Sequence, residues 1–244
     1  MIRKRLLAVA ATAALLLTTA TAANASPGQT VNDLSGSLTP EDLVSIFIGD
    51  GTPVSNVSYT GSPYAAGKFD GFSAIGIDSG IVLSSGCVAF QSEEDATERP
   101  YCPDGSSILG PNDHDSNTGE TWPNGDSDLA ALIGSGDTYD AAVLSFDFVP
   151  NSDTVTFSYV FGSEEYPEFV GSVFNDVFAF FVNGVNYALI TDSDTGNRIP
   201  VSINNVNGGP ENHPEEAKNP AFFRPNYYSD SGPSPFDTEL NGFT

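Results

Sequence analysis

Positive charge is scarce in this chain: its 244 residues carry only 8 Lys and Arg against 32 Asp and Glu, a formal net charge of −24. Three of the cations, Arg3, Lys4 and Arg5, crowd the N-terminus, while Lys68, Arg99, Arg198, Lys218 and Arg224 stand singly. Nucleic-acid binding needs a basic patch that neutralises phosphates and releases counterions. No such patch exists, and the same deficit repels anionic lipid. Histidine is limited to His114 and His213; without an H-E-x-x-H pair, a zinc hydrolase is disfavoured. Beyond the N-terminus no apolar run approaches the roughly 20 residues that a bilayer-spanning helix requires.

The N-terminus carries the one long apolar run. Arg3, Lys4 and Arg5 form a charged start, residues 6–17 an apolar stretch, and Ala23-Asn24-Ala25 a small-residue cleavage site before Ser26. This is the order of a secretory signal peptide, expected over residues 1–25. The stretch is too short to span a bilayer and is broken by Thr18 and Thr19. Removing it leaves 5 basic residues against 32 acidic, about −27 for the mature chain. Solubility outside the cell explains most of that excess acid. A few acidic loops are close-set enough to suggest a divalent cation.

In an exported chain, the only two cysteines, Cys87 and Cys102, read as a disulfide rather than a metal site or nucleophile. Closing that loop would stabilise the fold by roughly 3 kcal/mol in the chain-entropy model.

Strand patterns dominate. Leu144, Phe146 and Phe148 alternate with Ser145 and Asp147; after the turn-forming Pro150-Asn151-Ser152, Val155, Phe157, Tyr159 and Phe161 alternate with Thr154, Thr156 and Ser158. These two runs are expected to pair as an antiparallel hairpin. Residues 177–182 are apolar on both faces, which predicts a strand covered on both sides. Asn183-Gly184 supplies the positive-φ pair of a two-residue turn, predicting a second hairpin with residues 185–190. Helix is sparse: Thr39-Pro40-Glu41-Asp42 gives an N-cap, a proline at the first helical position and early acid, so a short helix should run to about Ile48. Another turn or two of helix is expected over residues 128–133. The pattern predicts an all-β, antiparallel β-sandwich, jelly-roll-like, with two short helices and long polar loops over 91–125 and 204–235.

These residues resemble the choice-of-anchor L domain of exported bacterial proteins. The likeness covers nearly the whole mature chain. It begins at Leu38-Thr39-Pro40-Glu41-Asp42-Leu43-Val44 and Val54-Ser55-Asn56-Val57-Ser58-Tyr59-Thr60-Gly61, and continues through Ile77-Asp78-Ser79-Gly80-Ile81-Val82-Leu83 and Ala142-Val143-Leu144-Ser145-Phe146-Asp147-Phe148. Its most specific part is Phe161-Gly162-Ser163-Glu164-Glu165-Tyr166-Pro167-Glu168-Phe169 with Asn175-Asp176-Val177-Phe178-Ala179-Phe180-Phe181-Val182-Asn183-Gly184; Val201-Ser202-Ile203-Asn204-Asn205-Val206-Asn207 and Leu240-Asn241-Gly242-Phe243-Thr244 also match. The resemblance implies a secreted or cell-surface β-domain over residues 26–244 and no known catalytic activity. It also implies that the domain is cut short at its C-terminus, with an anchor following residue 244 in the cell-surface case.

Four places carry residues suited to chemistry. Glu164, Glu165 and Glu168 with Asp176 lie on a connection between strands; they can coordinate calcium, which takes six to eight oxygens, or cap backbone groups and turn the chain, the favoured reading. As a glycosidase pair, Glu164 and Glu165 are poor, because adjacent strand residues point to opposite faces. Asp113, Asp115 and Asn117 open like a calcium loop, but Thr118 and Asn124 stand where an EF-hand needs its glycine and glutamate. Asp192 and Asp194, before Thr195-Gly196-Asn197, suit a hairpin tip nearly as well as a cation. Gly125-Asp126-Ser127-Asp128-Leu129 matches a GDSL esterase block only superficially. Neither histidine has an aspartate three residues before it, and Ser127 reads as a helix-start residue.

The expected function is therefore a non-catalytic secreted or cell-surface module for adhesion or matrix contact, with calcium as its one expected cofactor. The partner would be an extracellular protein or a glycan. A carbohydrate-binding module is the alternative, with Trp122, Tyr101, Tyr227 and Tyr228 as stacking rings, and a secreted hydrolase using Glu165 or Glu168 ranks third.

Overall fold

The computed structural model describes residues 29–49, 51–72, 75–89, 124–227, 240 and 242–244. The expected signal peptide, Cys102, the Asp113–Asn117 motif, Tyr101, Trp122 and Tyr228 lie outside them. The strands are β1 (Thr30–Asp33), β2 (Val54–Thr60), β3 (Ala66–Asp70), β4 (Ser79–Leu83), β5 (Val143–Phe148), β6 (Gly162–Ser163), β7 (Val177–Phe178), β8 (Phe181–Val182), β9 (Val185–Asn186), β10 (Leu189–Thr191), β11 (Arg198–Ser202), β12 (Arg224–Pro225) and β13 (Gly242–Phe243). Two helices join them, α1 (Pro40–Ile48) and α2 (Ser127–Ile133).

Every strand pair among the described residues is antiparallel, in sheets ordered β1-β3-β4, β10-β11-β7, β12-β13-β6, β2-β5 and β8-β9. The architecture is an antiparallel β-sandwich with two short helices, as the strand patterns predict.

Helix α1 starts for the expected reason, and α2 starts at Ser127, one residue earlier than the expected 128–133. At α1 the Thr39 hydroxyl accepts from the Asp42 amide, and the Asp42 carboxylate accepts from the Thr39 amide, a reciprocal capping box ahead of Pro40. At α2 the Asp126 carboxylate accepts from the amides of Asp128 and Leu129 at 2.9 and 3.0 Å. Asp126 is thus the cap, and Ser127 is the first helical residue.

Gly125 precedes that cap at a close approach. Asp126 donates its amide to the Thr138 hydroxyl, which donates back to the Asp126 carbonyl, and a Cβ on Gly125 would overlap the Thr138 backbone. Gly125→Ala is therefore expected to cost about 1–3 kcal/mol, the usual range for overpacking. Urea unfolding measures it, and a loss under about 0.5 kcal/mol, the size of an ordinary surface change, would show that the contact is not tight.

The run 177–182 is buried on both sides, as its composition predicts, but it is not one strand: β7 joins the β10-β11-β7 sheet, and only β8 pairs with β9. Val177, Ala179 and Phe181 pack in one cluster with Leu129 of α2, while Phe178 and Phe180 enter the main core with Leu43 and Val44 of α1, Leu144 and Phe146 of β5, and Val201 of β11. Asn183 and Gly184 both take positive φ, 54° and 79°, and close the β8–β9 hairpin.

The other expected hairpin does not form. β5 pairs with β2, from Val54↔Phe148 to Thr60↔Val143, around a bulge between Ser55 and Ser58. At that bulge Asn56 adopts φ 54° and donates its side-chain amide to the buried Asp147 carboxylate at 2.6 Å. Residues 154–160 have the alternation of a strand but pair with no strand among the described residues. Alternation states which face of a segment is apolar; it does not state which neighbour completes its hydrogen bonds.

Candidate functional site

The site is built on the connection from β6 to β7. Ser163, at the end of β6, donates its hydroxyl to the Asp176 carboxylate at 2.8 Å and accepts from the Glu165 amide at 3.0 Å. A turn then forms through the Phe169 amide on the Glu165 carbonyl and the Ser172 amide on the Phe169 carbonyl. Asn204, in the turn after β11, straps this connection down. Its side-chain oxygen accepts from the Gly171 amide at 2.6 Å, its side-chain amide donates to the Ser172 carbonyl, and its own backbone amide donates to the Asn175 side chain.

Tyr166 anchors the same connection from below. It is the largest fully buried side chain of the described residues, and its hydroxyl donates to the Val206 carbonyl at 2.7 Å. Burial, above all, pushes its phenol pKa well up.

Around that anchor the carboxylates feel one another's charge. Glu165 is partly buried, and desolvation, then the charges of Asp176, Glu164 and Glu168, push its pKa up to about 8. The Asp176 carboxyl is enclosed, and burial raises its pKa; the Ser163 hydroxyl pulls the other way, and Asp140 adds to the rise. Glu164, Glu165, Glu168 and Asp176, which the sequence pattern singles out, therefore share one neighbourhood. Asp140, beside β5, joins them without any signal in the sequence motif.

They do not form a ready-made single-ion cage. Among the described residues, three ligand atoms come within 4.8 Å of one another only at the exposed His213, Glu215 and Glu216. There His213 Nδ1 lies 3.1 Å from Glu215 Oε1, and Pro214–Glu216 forms a 3-10 turn that brings the three together. The sequence pattern missed this trio, whose only signal is the short run His213-Pro214-Glu215-Glu216.

Asp192 and Asp194 occupy the tip of the β10–β11 hairpin. The Asp192 carboxylate accepts from the amides of Asp194 and Thr195, from the Thr195 hydroxyl and from the Asn219 side chain. These bonds hold its pKa below the usual aspartate range. Asp194 meets Lys218 Nζ at 3.3 Å in an exposed ion pair. Asp192 thus already serves the turn.

Of the four candidate stacking rings only Tyr227 is described. It is half-buried, with its ring centroid 6.3 Å from that of Phe223, and burial followed by the Glu168 charge pushes its pKa up to about 12. Cys87 is fully buried.

Residues 30–244 match the family model described as Choice-of-anchor L domain. Comparison with curated proteins finds no match, and comparison with solved structures finds none. No helix of the described residues is long and apolar enough to cross a membrane.

Proposed function

From the premise that this chain belongs to the choice-of-anchor L domain family, we propose that it is a non-catalytic, surface-associated β-sandwich module for adhesion or matrix contact, whose acidic connection between β6 and β7 takes up calcium. The family is one of surface-associated proteins and is not a known enzyme family. The observation that carries the calcium reading is the nearness of Asp176, Glu164 and Glu168 to Glu165, whose charged form is disfavoured first by burial and then by all three charges. A hard divalent cation with carboxylate oxygens around it removes that repulsion. Since the four carboxylates are near one another but not converged, binding has to draw them together. The affinity expected is that of extracellular modules, about 10⁻⁴ to 10⁻³ M.

Thermal melting tests this directly. Calcium at about ten times the dissociation constant adds about 1.4 kcal/mol to stability, a rise of roughly 3–5 °C in Tm for a domain of this size. Melting curves in chelator and in millimolar calcium should differ by that amount, and the difference should vanish in Glu165→Gln combined with Asp176→Asn. An unchanged Tm ends the calcium reading and leaves the acidic connection as a structural turn. The module is further read as stapled by a Cys87–Cys102 bridge, supported by the burial of Cys87 and by the lack of any free cysteine among the described residues.

A further inference from the structure

Ligand atoms of two kinds come together on the loop between β11 and β12: His213 Nδ1 and one carboxylate oxygen each from Glu215 and Glu216, all within 4.8 Å of one another. The loop is closed at its base. Asn207, itself buried, donates its backbone amide to the Lys218 carbonyl at 2.9 Å and accepts the Gly209 and Lys218 amides on its side-chain oxygen, each at 3.0 Å. Its side-chain amide donates to the Ile203 carbonyl at 2.8 Å, which ties that base to the end of β11.

Within the loop the backbone folds back on itself. The His213 amide donates to the Pro210 carbonyl and the Glu216 amide to the His213 carbonyl, at 2.9 and 3.0 Å. Gly209, at φ 91°, passes so close that a Cβ there would meet the His213 carbonyl oxygen and the Pro214 Cα at 2.7 Å. A 3-10 turn sets positions three apart one above the other, so Glu216 returns over His213. Glu215 completes the group, with Oε1 3.1 Å from His213 Nδ1. The nearest basic residue along the chain, Lys218, pairs instead with Asp194 at 3.3 Å. Two carboxylates gathered at one imidazole gain from a divalent ion, which offsets their mutual repulsion and takes the ring nitrogen as a ligand.

We propose that His213, Glu215 and Glu216 bind a first-row divalent ion of the zinc class through one nitrogen and two oxygens. The donor set decides the class. Calcium and magnesium are held by oxygens, whereas a neutral imidazole suits zinc, copper, iron and nickel. The spacing fits as well. Ligands of a tetrahedral zinc lie roughly 3.3–3.6 Å apart, so the His213–Glu215 pair needs almost no movement and the third ligand only a short inward turn. All three residues are exposed and free to make it. Three protein ligands leave a fourth position open to water or to a donor from a partner. This site lies on a different loop from the β6–β7 carboxylates and uses a different donor set, so neither reading rests on the other.

Zinc chloride titrated into the full chain by calorimetry, with millimolar calcium present throughout, tests the assignment. The expected result is one tightest zinc per chain, with affinity falling at least about tenfold in His213→Ala and in Glu216→Gln. It should be unchanged in His114→Ala, the chain's other histidine. His213 and Glu216 are exposed, so both variants are expected to fold, which their metal-free melting curves check. Ring-nitrogen NMR shifts should place the zinc on Nδ1 of His213, a readout that breaking a His213–Glu215 ion pair would not produce. Absence of zinc uptake would mean an ion pair only and overturn the proposal. So would uptake that survives His213→Ala or is abolished by His114→Ala, because the ion would then sit elsewhere. Displacement of the zinc by the calcium would mark a site of carboxylates alone, and overturns it too.

Discussion

Tyr166→Ala is expected to lower the unfolding free energy by about 3–5 kcal/mol, the range for emptying a buried aromatic site. The ring is fully enclosed, 4.8 Å between centroids from Phe223, and β13 passes so close that a Cβ on Gly242 would meet the rings of Phe223 and Tyr166 at 2.5 and 2.7 Å. Truncation thus leaves a cavity beneath the strand that holds β6 and β12 together. Against a typical total stability of about 5–15 kcal/mol, that loss is a large share of the free energy that holds the domain folded. Tyr166→Phe separates the two contributions. It keeps the ring but leaves the Val206 carbonyl without its donor, for an expected cost of about 1–3 kcal/mol. Chemical denaturation of both variants measures the ladder. A Tyr166→Ala loss below about 1 kcal/mol, the centre of the distribution for ordinary substitutions, would show that the connection does not depend on this anchor.

Raising the pH from 5 to 8 in chelator is expected to destabilise the domain, and Glu165→Gln should remove most of that effect. Glu165 in the folded chain has a pKa pushed up to about 8, whereas an unfolded glutamate titrates near about 4.3. Between those values the folded state holds a proton that the unfolded state has released. Stability then falls as pH rises through the window, because the folded state binds more protons. It is fully present below the unfolded pKa and lost as pH passes the folded one. The raised pKa of Asp176 acts with the same sign. Glu165 is only partly buried, so solvent screening reduces the size of the effect, and the direction carries the test. At pH 8 Glu165→Gln should melt above the wild type; at pH 5 the two should coincide. Substituting the exposed Glu211 by Gln controls for overall charge. Parallel Tm curves for wild type and Glu165→Gln would remove Glu165 as the titrating group. Calcium should rescue the wild type at pH 8 and not the variant, which links this experiment to the cation site.

The two predictions draw on neighbouring residues with opposite legibility. Glu164, Glu165, Glu168 and Asp176 stand out in the sequence because carboxylates crowd a short proline-marked connection, and the fold does bring them into one neighbourhood. Tyr166, between them, gives no such signal: a tyrosine in an acidic turn looks like a surface residue until Val206, Phe223 and β13 close over it. Asp140 and the strap by Asn204 were equally silent. Their roles rest on contacts with residues far along the chain, to which local composition is blind.

The sequence by itself determined what short-range chemistry controls. The capping box at Thr39, the aspartate cap before α2, the Asn183-Gly184 turn and the two-faced burial of residues 177–182 each follow from a few adjacent residues and the conformations open to them. Composition likewise settled the acidic surface. Only the tertiary structure decided which strands pair, since alternation is the same whether β5 meets residues 155–161 or, as it does, β2. It also decided that residues 156–160 line a groove, because that depends on where β4, Phe47, Phe178 and Phe180 end up in space. Backbone hydrogen bonding between strands is sequence-tolerant, so partner choice is left to the packing of the whole.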